Sequence, residues 1–511
     1  MDTLAQTLFN RFSAGRTPGE SDFRASRMFS LTQDPFGLWC DYHAPRAEFF
    51  AENTRYDKAR TDGDKSTKSD IIFAEHPDAV IIEGDSQSDT FLKTLQAMEA
   101  GAPAIGYPSL WDLPENVLGR ATLLLKEHKG KSVFGKYHYR LIQLKRAGDL
   151  KDHYSLAAAL LNRILGRIQQ YQHPDMVISL RTKRVCILQR DWDERLDNAL
   201  RLWRDIRDGS FKPETGRPPK AAQPPWRKYA NHSAADSGAL VMIPAIGYEL
   251  REELREYGYQ TTADIAAEDP LKFGILMGDQ PGKDIYMSAT AYKLGKPVIK
   301  KTGCFPPPRK KRNLYFDFEA SDPVRAGDIA HVYLIGVYDR EAGKYSSFLA
   351  HGHTEEEKIF REFIEFVGDP AQAVLYHWTT YEAHHMRKLA GVYPELAKSL
   401  TGLADACFDL MESVKDSFYL PAPGYSLKAV APLFGFQWRQ NDCGAMESMV
   451  FYWDWLKGNE DSIKKVLMYN EDDCVSMAVL DKALEAAEPA AVPWPDIPEP
   501  EEDSPGLEET P

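Results

Sequence analysis

At 511 residues the chain is longer than one ordinary hydrophobic core supports, so several domains are expected. Its 43% hydrophobic and 27% charged residues describe a globular protein, and no apolar run is long enough to span a bilayer, so no membrane partner is expected. The formal net charge of −14 does not exclude a polyanionic partner. Eight of the acids lie in residues 488–511, which hold no lysine or arginine, and local basic patches decide such binding.

The N-terminus, "MDTLAQTLFNRFSAGR", has neither the apolar h-region nor the small-residue cleavage site of a secretory signal, so a cytoplasmic location is expected. Six cysteines (Cys40, Cys186, Cys304, Cys407, Cys443 and Cys474) are scattered without a CxxC pair. That spacing argues against a zinc ribbon or a disulfide framework and fits a reducing compartment.

In chain order, residues 1–210 read as an α/β region. Residues 211–238, "FKPETGRPPKAAQPPWRKYANHSAADSG", read as a Pro-rich linker. Residues 239–302 read as a small helical region. Its "IPAIG" turn and following helix resemble a helix–hairpin–helix element, which grips a phosphate backbone at a helix N-terminus; a plain packing module reads equally well. Residues 303–312, "GCFPPPRKKR", form a basic Pro-rich linker before a second α/β region at 313–487. Residues 488–511 hold too little apolar surface to offset their ordering entropy and are expected to be disordered.

The region 313–487 alternates clearly. "NLYFDFEA", "HVYLIGVYD" and "AVLYHW" predict strands, being rich in β-branched and aromatic residues. "TEEEKIFREFIEFVG" predicts an amphipathic helix with Ile359, Phe360, Phe363, Ile364 and Val367 on one face and a capping box between Thr354 and Glu357. "YEAHHMRKLAGV" and "SIKKVLMYNEDDCVSMAVLDKALEA" predict two further helices. Strands first, then strands alternating with helices, imply a mixed α/β sheet with flanking helices.

Asp317 and Glu319 stand two positions apart on a predicted strand, so both side chains leave the same face. A solvated face is the commoner meaning of such a pair when isolated. This pair is not isolated. "YHWTTYEAHHMRKL" carries Glu382 after an aromatic at a strand-to-helix turn, and "YNEDDC" places Tyr469 and Asp473 one helical turn apart. Buried carboxylates this close repel unless a cation compensates.

This ordered set resembles the DEDD exonuclease group of the ribonuclease-H-like superfamily in its tyrosine (DEDDy) form. With "YHWTTYE", "YSLKAVAPLFGFQWR" and "YNEDDC", it is more narrowly similar to the YprB-type domain of RecB-like nucleases. The resemblance implies a 3′→5′ exonuclease acting on DNA or RNA. Asp317, Glu319, Glu382 and Asp473 would hold two divalent ions, Mg2+ or Mn2+, and Tyr469 would orient the attacking water. Glutamate at 382 departs from the aspartate usual in the wider group.

Neighbouring residues carry weaker readings. Asp472 reads as a solvated helix residue, Asp409 as either a fifth acid or a cap, and His377, His384 and His385 as surface or packing residues. Lys300, Lys301, Arg309, Lys310, Lys311 and Arg312 form a candidate phosphate contact or a solvated linker.

In residues 1–210, "TQDPFGLWCDYHAP", "VLGRATLLLKE" and "YRLIQLKRAGDLKDHYSLAAALLNRIL" resemble the RecB-like PD-(D/E)XK fold in layout. That family places an acid on one strand and acid-x-Lys on the next. Here the positions read Thr122, Gln143 and Lys145. Neither Thr nor Gln is a good ligand for a hard cation, so the resemblance implies a degenerate site that retains a nucleic-acid contact through Lys145. A shifted reading, with Glu127 or Asp112 supplying the acid, stays open. So do two other functional classes, a catalytically silent nucleic-acid-binding scaffold and a structure-specific endonuclease. A helicase or repair partner is compatible with the resemblance, but no residue specifies one.

Overall fold

The computed structural model describes residues 3–49, 54–128, 130–218, 220–300, 306–322, 330–440, 444–486 and 494–496. Lys301, Cys304 and Cys443, and nearly all of the acidic tail, lie outside them. Among the described residues no helix is long and apolar enough to cross a membrane, and Cys40, Cys186, Cys407 and Cys474 are free thiols. The chain divides into two compact units, one mainly of residues 1–216 and 222–230, the other mainly of 217–221, 231–323 and 329–511.

The first unit is built on a six-stranded mixed sheet. Its order is Val80–Ile81, Ala104–Gly106, Leu123–Glu127, His138–Leu144, Asp175–Ser179 and Arg184–Leu188. The helix Asp152–Gln169 backs this sheet through Leu156, Leu160, Ile164 and Ile168, which repeat every four residues and are all buried.

Part of the Pro-rich segment 211–238 is helical. Once the prolines end, Trp226, Ala230 and Ala234 recur at helical spacing and all three are buried, so Arg227–Asp236 forms a helix. Trp226 Nε1 donates to Asp41 Oδ1 at 2.8 Å, an anchor the proline count conceals.

In the second unit, residues 239–302 carry four short helices, Tyr248–Glu256, Thr262–Ala267, Pro270–Met277 and Asp279–Leu294, around Leu254, Ile265, Phe273 and Ile285. The following strand, Val298–Ile299, pairs antiparallel with Phe418–Tyr419. This segment is therefore tied by backbone hydrogen bonds to the part that follows.

The main sheet of the second unit has five strands, in the order Lys344–Leu349, His331–Asp339, Arg312–Ser321, Ala373–His377 and Cys407–Asp409. The first three run antiparallel; the last two run parallel to the central Arg312–Ser321 strand. Leu314, Phe316 and Phe318 pack on one face against Glu356–Val367 and its neighbouring helices. Tyr315 turns to the other face, where Met477, Leu480 and Leu484 of the long helix Glu460–Ala486 lie. By alternation Asp317 and Glu319 also face that helix.

The expected capping box does not form. A 3-10 turn, His353–Glu355, precedes the helix, and the N-cap is Glu355 without a side-chain cap bond. Glu356 sets the start instead: it is buried and accepts from Val332 N at 2.7 Å and from Tyr393 Oη at 2.8 Å. Two bonds from outside the helix outweigh one local cap.

Candidate active site

Three of the four expected acids meet. Carboxylate oxygens of Asp317, Glu319 and Asp473 all lie within 4.8 Å of one another. The strand supplies two of them side by side, and a bulge between Glu319 and Ala320 bends it just past the second. The long helix supplies the third, with Tyr469 one turn earlier. Glu319, Asp473 and Tyr469 are buried, and Asp317 is partly so.

Glu382 comes from the first turn of Tyr381–Val392 and is buried beside the trio, where its charge adds to the field at Asp317. Its Oε2 has no hydrogen-bond partner among the described residues. The nearest imidazole nitrogen, His377 Nδ1, lies 3.5 Å away and is likewise unpartnered. His377 is buried against Glu382, which is the packing rather than the surface alternative for this residue. His384 is exposed, and His385 stacks on Tyr381 at 5.5 Å.

The turn that presents Glu382 is strained. Thr379, a β-branched residue, adopts φ +76°, a conformation such residues rarely take. Asp409 Oδ1 accepts from Thr379 N at 3.0 Å and also caps the next helix at Met411 N, 3.0 Å. Asp409 is thus a cap that also holds the strand-to-helix turn in place.

The electrostatics follow from burying like charges together. Burial, then the charges of Asp473, Glu319 and Glu382, pushes Asp317 well above the ordinary carboxylate range. Burial and Asp473 push Glu319 up to about 8. Asp473 is raised less, to about 6: burial lifts it, while the Trp438 indole and the Lys428 cation pull it back. Burial and the neighbouring acids raise Tyr469 far above its usual value, so it remains a phenol.

Four residues of this site were not expected. Asn470 Nδ2 donates to Asp317 Oδ2 at 2.9 Å, while its Oδ1 accepts from Tyr345 Oη at 2.8 Å. Gly336, cross-strand partner of Asp317, makes this possible: a Cβ there would lie 1.6 Å from Asn470 Oδ1. A glycine inside "HVYLIGVYD" is the signal that could have revealed the close approach. Trp438 Nε1 donates to Asp473 Oδ1 at 2.7 Å, and Lys428 Nζ lies 4.7 Å above the Tyr469 ring. Both fall in the "YSLKAVAPLFGFQWR" stretch.

Asp472 is not solvated. It is buried and takes Arg439 N at 2.8 Å and Arg439 Nε at 2.7 Å, which fixes the chain next to Trp438.

The basic run splits. Arg309 bonds Asp481 Oδ1 at 2.5 Å, Glu485 Oε1 at 2.8 Å and Tyr376 Oη at 2.6 Å. Arg312 bonds Asp339 Oδ2 at 3.0 Å and the carbonyls of Phe366 and Val367. Both arginines are engaged within the fold. Lys310 and Lys311 are exposed, and Lys300 lies 4.8 Å above the Tyr419 ring.

In the first unit, Thr122 Oγ1 donates to Gln143 Oε1 at 2.9 Å, so the two positions where the resemblance places acids bond each other instead. Lys145 sits beside them, over the Tyr154 ring at 4.9 Å, and lines an open pocket of about 320 Å3 with Arg24, Arg120 and Gln143. Neither alternative acid joins them. Asp112 pairs with Arg167 at 2.7 Å, and Glu127 lies at the far end of its strand with two histidines.

A family model of the RNase H superfamily matches residues 314–485, a range that holds Asp317, Glu319, Glu382, Tyr469 and Asp473. The C-terminal domain is ribonuclease-H-like. That likeness points to a nuclease-type hydrolase and a nucleic-acid substrate. No curated protein matches the chain.

The residues fit divalent cations. Hard carboxylate oxygens converge, they repel one another when buried, and the orphaned Glu382 Oε2 has capacity to spare.

Proposed function

We propose that residues 313–487 form a DEDDy-type 3′→5′ exonuclease that hydrolyses DNA or RNA. Asp317, Glu319, Glu382 and Asp473 would hold two ions, Mg2+ or Mn2+, which when bound polarise the scissile phosphate and acidify the attacking water. The convergence of three carboxylates on one point, with a tyrosine one turn from the third, carries this reading.

The chain's own groups have distinct tasks. Asn470 and Trp438 fix the rotamers of Asp317 and Asp473. Tyr469, a phenol at neutral pH, donates its proton in a hydrogen bond and so orients the water without acting as a base. Tyr381, 45% exposed and adjacent in sequence to Glu382, offers a ring on which a terminal base stacks. Lys310 and Lys311 contact phosphates electrostatically.

Residues 1–210 are proposed as a RecB-like domain whose nuclease site is degenerate, with Lys145 and its arginine-lined pocket as a backbone contact. The test is degradation of end-labelled single strands with Mn2+. Asp317→Ala and Asp473→Ala should each abolish it; undiminished degradation by either variant rejects the assignment.

A further inference from the structure

One cluster in the first unit is left unused by this function. Glu127 closes the strand Leu123–Glu127, and its direct cross-strand partner is His138. His173 stands just ahead of the strand Asp175–Ser179. His173 Nε2 lies 3.3 Å from Glu127 Oε2, and His138 Nε2 lies 3.7 Å from the same oxygen. One ligand atom from each of the three residues falls within a 4.8 Å group.

His138 is 1% exposed, and among the described residues neither of its ring nitrogens has a hydrogen-bond partner. A buried polar ring left in that state is destabilising unless something satisfies it.

His173 has two possible tautomers. Its Nδ1 is 2.8 Å from the Asp175 carbonyl, and a proton there turns the Nε2 lone pair toward Glu127. The Asp175 N–H, 3.2 Å from Nδ1, suits the other tautomer, in which Nε2–H donates to Glu127. That second arrangement satisfies His173 and still leaves His138 with nothing. A cation between the three satisfies all of them. Donors bound tetrahedrally at about 2.0–2.1 Å stand roughly 3.3–3.4 Å apart, close to the separations found here. Arg140, 3.6 Å from Glu127 Oε1, engages the other carboxylate oxygen and leaves Oε2 for the ion.

We propose that Glu127, His138 and His173 bind one divalent transition-metal ion of the Zn2+ type, clamping two strands to the entry of a third. Two imidazoles and a single carboxylate select Zn2+ over the Mg2+ that an all-carboxylate site takes.

The test uses the full chain, stripped with chelator and titrated with Co2+ in excess Mg2+, which saturates the carboxylate site. One Co2+ per chain should bind with the intense visible bands of a tetrahedral nitrogen-ligated ion, and Zn2+ should displace it. Asp317→Asn/Asp473→Asn should keep the bands. Glu127→Gln and His173→Gln should each weaken Co2+ binding by about tenfold or more, with circular dichroism confirming the fold; these decide the matter even if His138→Gln does not fold. Absence of the bands, bands indifferent to Glu127→Gln and His173→Gln, or bands lost with the Asp317/Asp473 variant would overturn the proposal.

Discussion

The Asn470 side chain donates to Asp317 Oδ2 at 2.9 Å, which links the helix carrying Tyr469 and Asp473 directly to the strand carrying Asp317 and Glu319. The contact depends on Gly336. An alanine there would place Cβ 1.6 Å from Asn470 Oδ1, a distance no rotamer of the alanine relieves. Gly336→Ala should therefore cut metal-dependent hydrolysis by about tenfold or more while the chain stays folded, and Asn470→Ala should do the same. Turnover measured across a Mn2+ titration, alongside thermal melts, checks both.

Trp438 holds Asp473 through its indole N–H. Trp438→Phe keeps the ring but removes the N–H, so Asp473 loses the bond that stabilises its charged form. The metal concentration for half-maximal activity should rise by about tenfold. An unchanged Mn2+ dependence would mean the indole serves packing alone.

Stability without metal should fall as pH rises. Asp317, Glu319 and Asp473 all have folded-state affinities for protons above their unfolded values. The folded chain therefore binds more protons, and what they contribute is complete below about pH 4 and is lost as these groups ionise. For Asp473 and Glu319 the loss spans the range up to about 6 and about 8 respectively. Mg2+ should raise the melting temperature more at pH 8 than at pH 5, and Glu319→Gln should flatten the metal-free profile. A metal-free melting temperature that climbs over this interval in step with pH would contradict the buried-cluster account.

The two kinds of basic residue should behave differently. Asp481 is fully buried and takes Arg309 and Arg340, so Asp481→Ala removes one carboxylate from both guanidinium groups, leaves them Glu485, and should destabilise the chain by about 1–3 kcal/mol. Arg309→Ala should also act on the melting temperature. Lys310→Ala/Lys311→Ala should leave melting unchanged, raise KM and reduce the salt dependence of substrate binding.

Much of the second unit was legible because periodicity and chemistry agreed. The strand over "HVYLIGVYD" has the expected bounds, His331–Asp339, since β-branched and aromatic residues there are buried on both faces. The DxE strand and the YxxxD helix are legible for the same reason. What escaped detection depends on contacts distant in sequence. Nothing local to Asn470 or Trp438 says that they reach carboxylates 153 and 35 residues away. Arg309 and Arg312 read as part of a basic run because their partners, Asp481 and Asp339, lie far along the chain. The helix at Arg227–Asp236 was obscured by the prolines before it, although its buried alanines repeat at helical spacing.

The most direct measurement follows a single strand labelled at its 3′ terminal nucleotide, incubated with the full chain and Mn2+. Labelled mononucleotide should be released immediately, and not at all by Asp317→Asn or Asp473→Asn. Labelled fragments of intermediate length appearing first, or no metal-dependent release at all, would contradict the exonuclease reading.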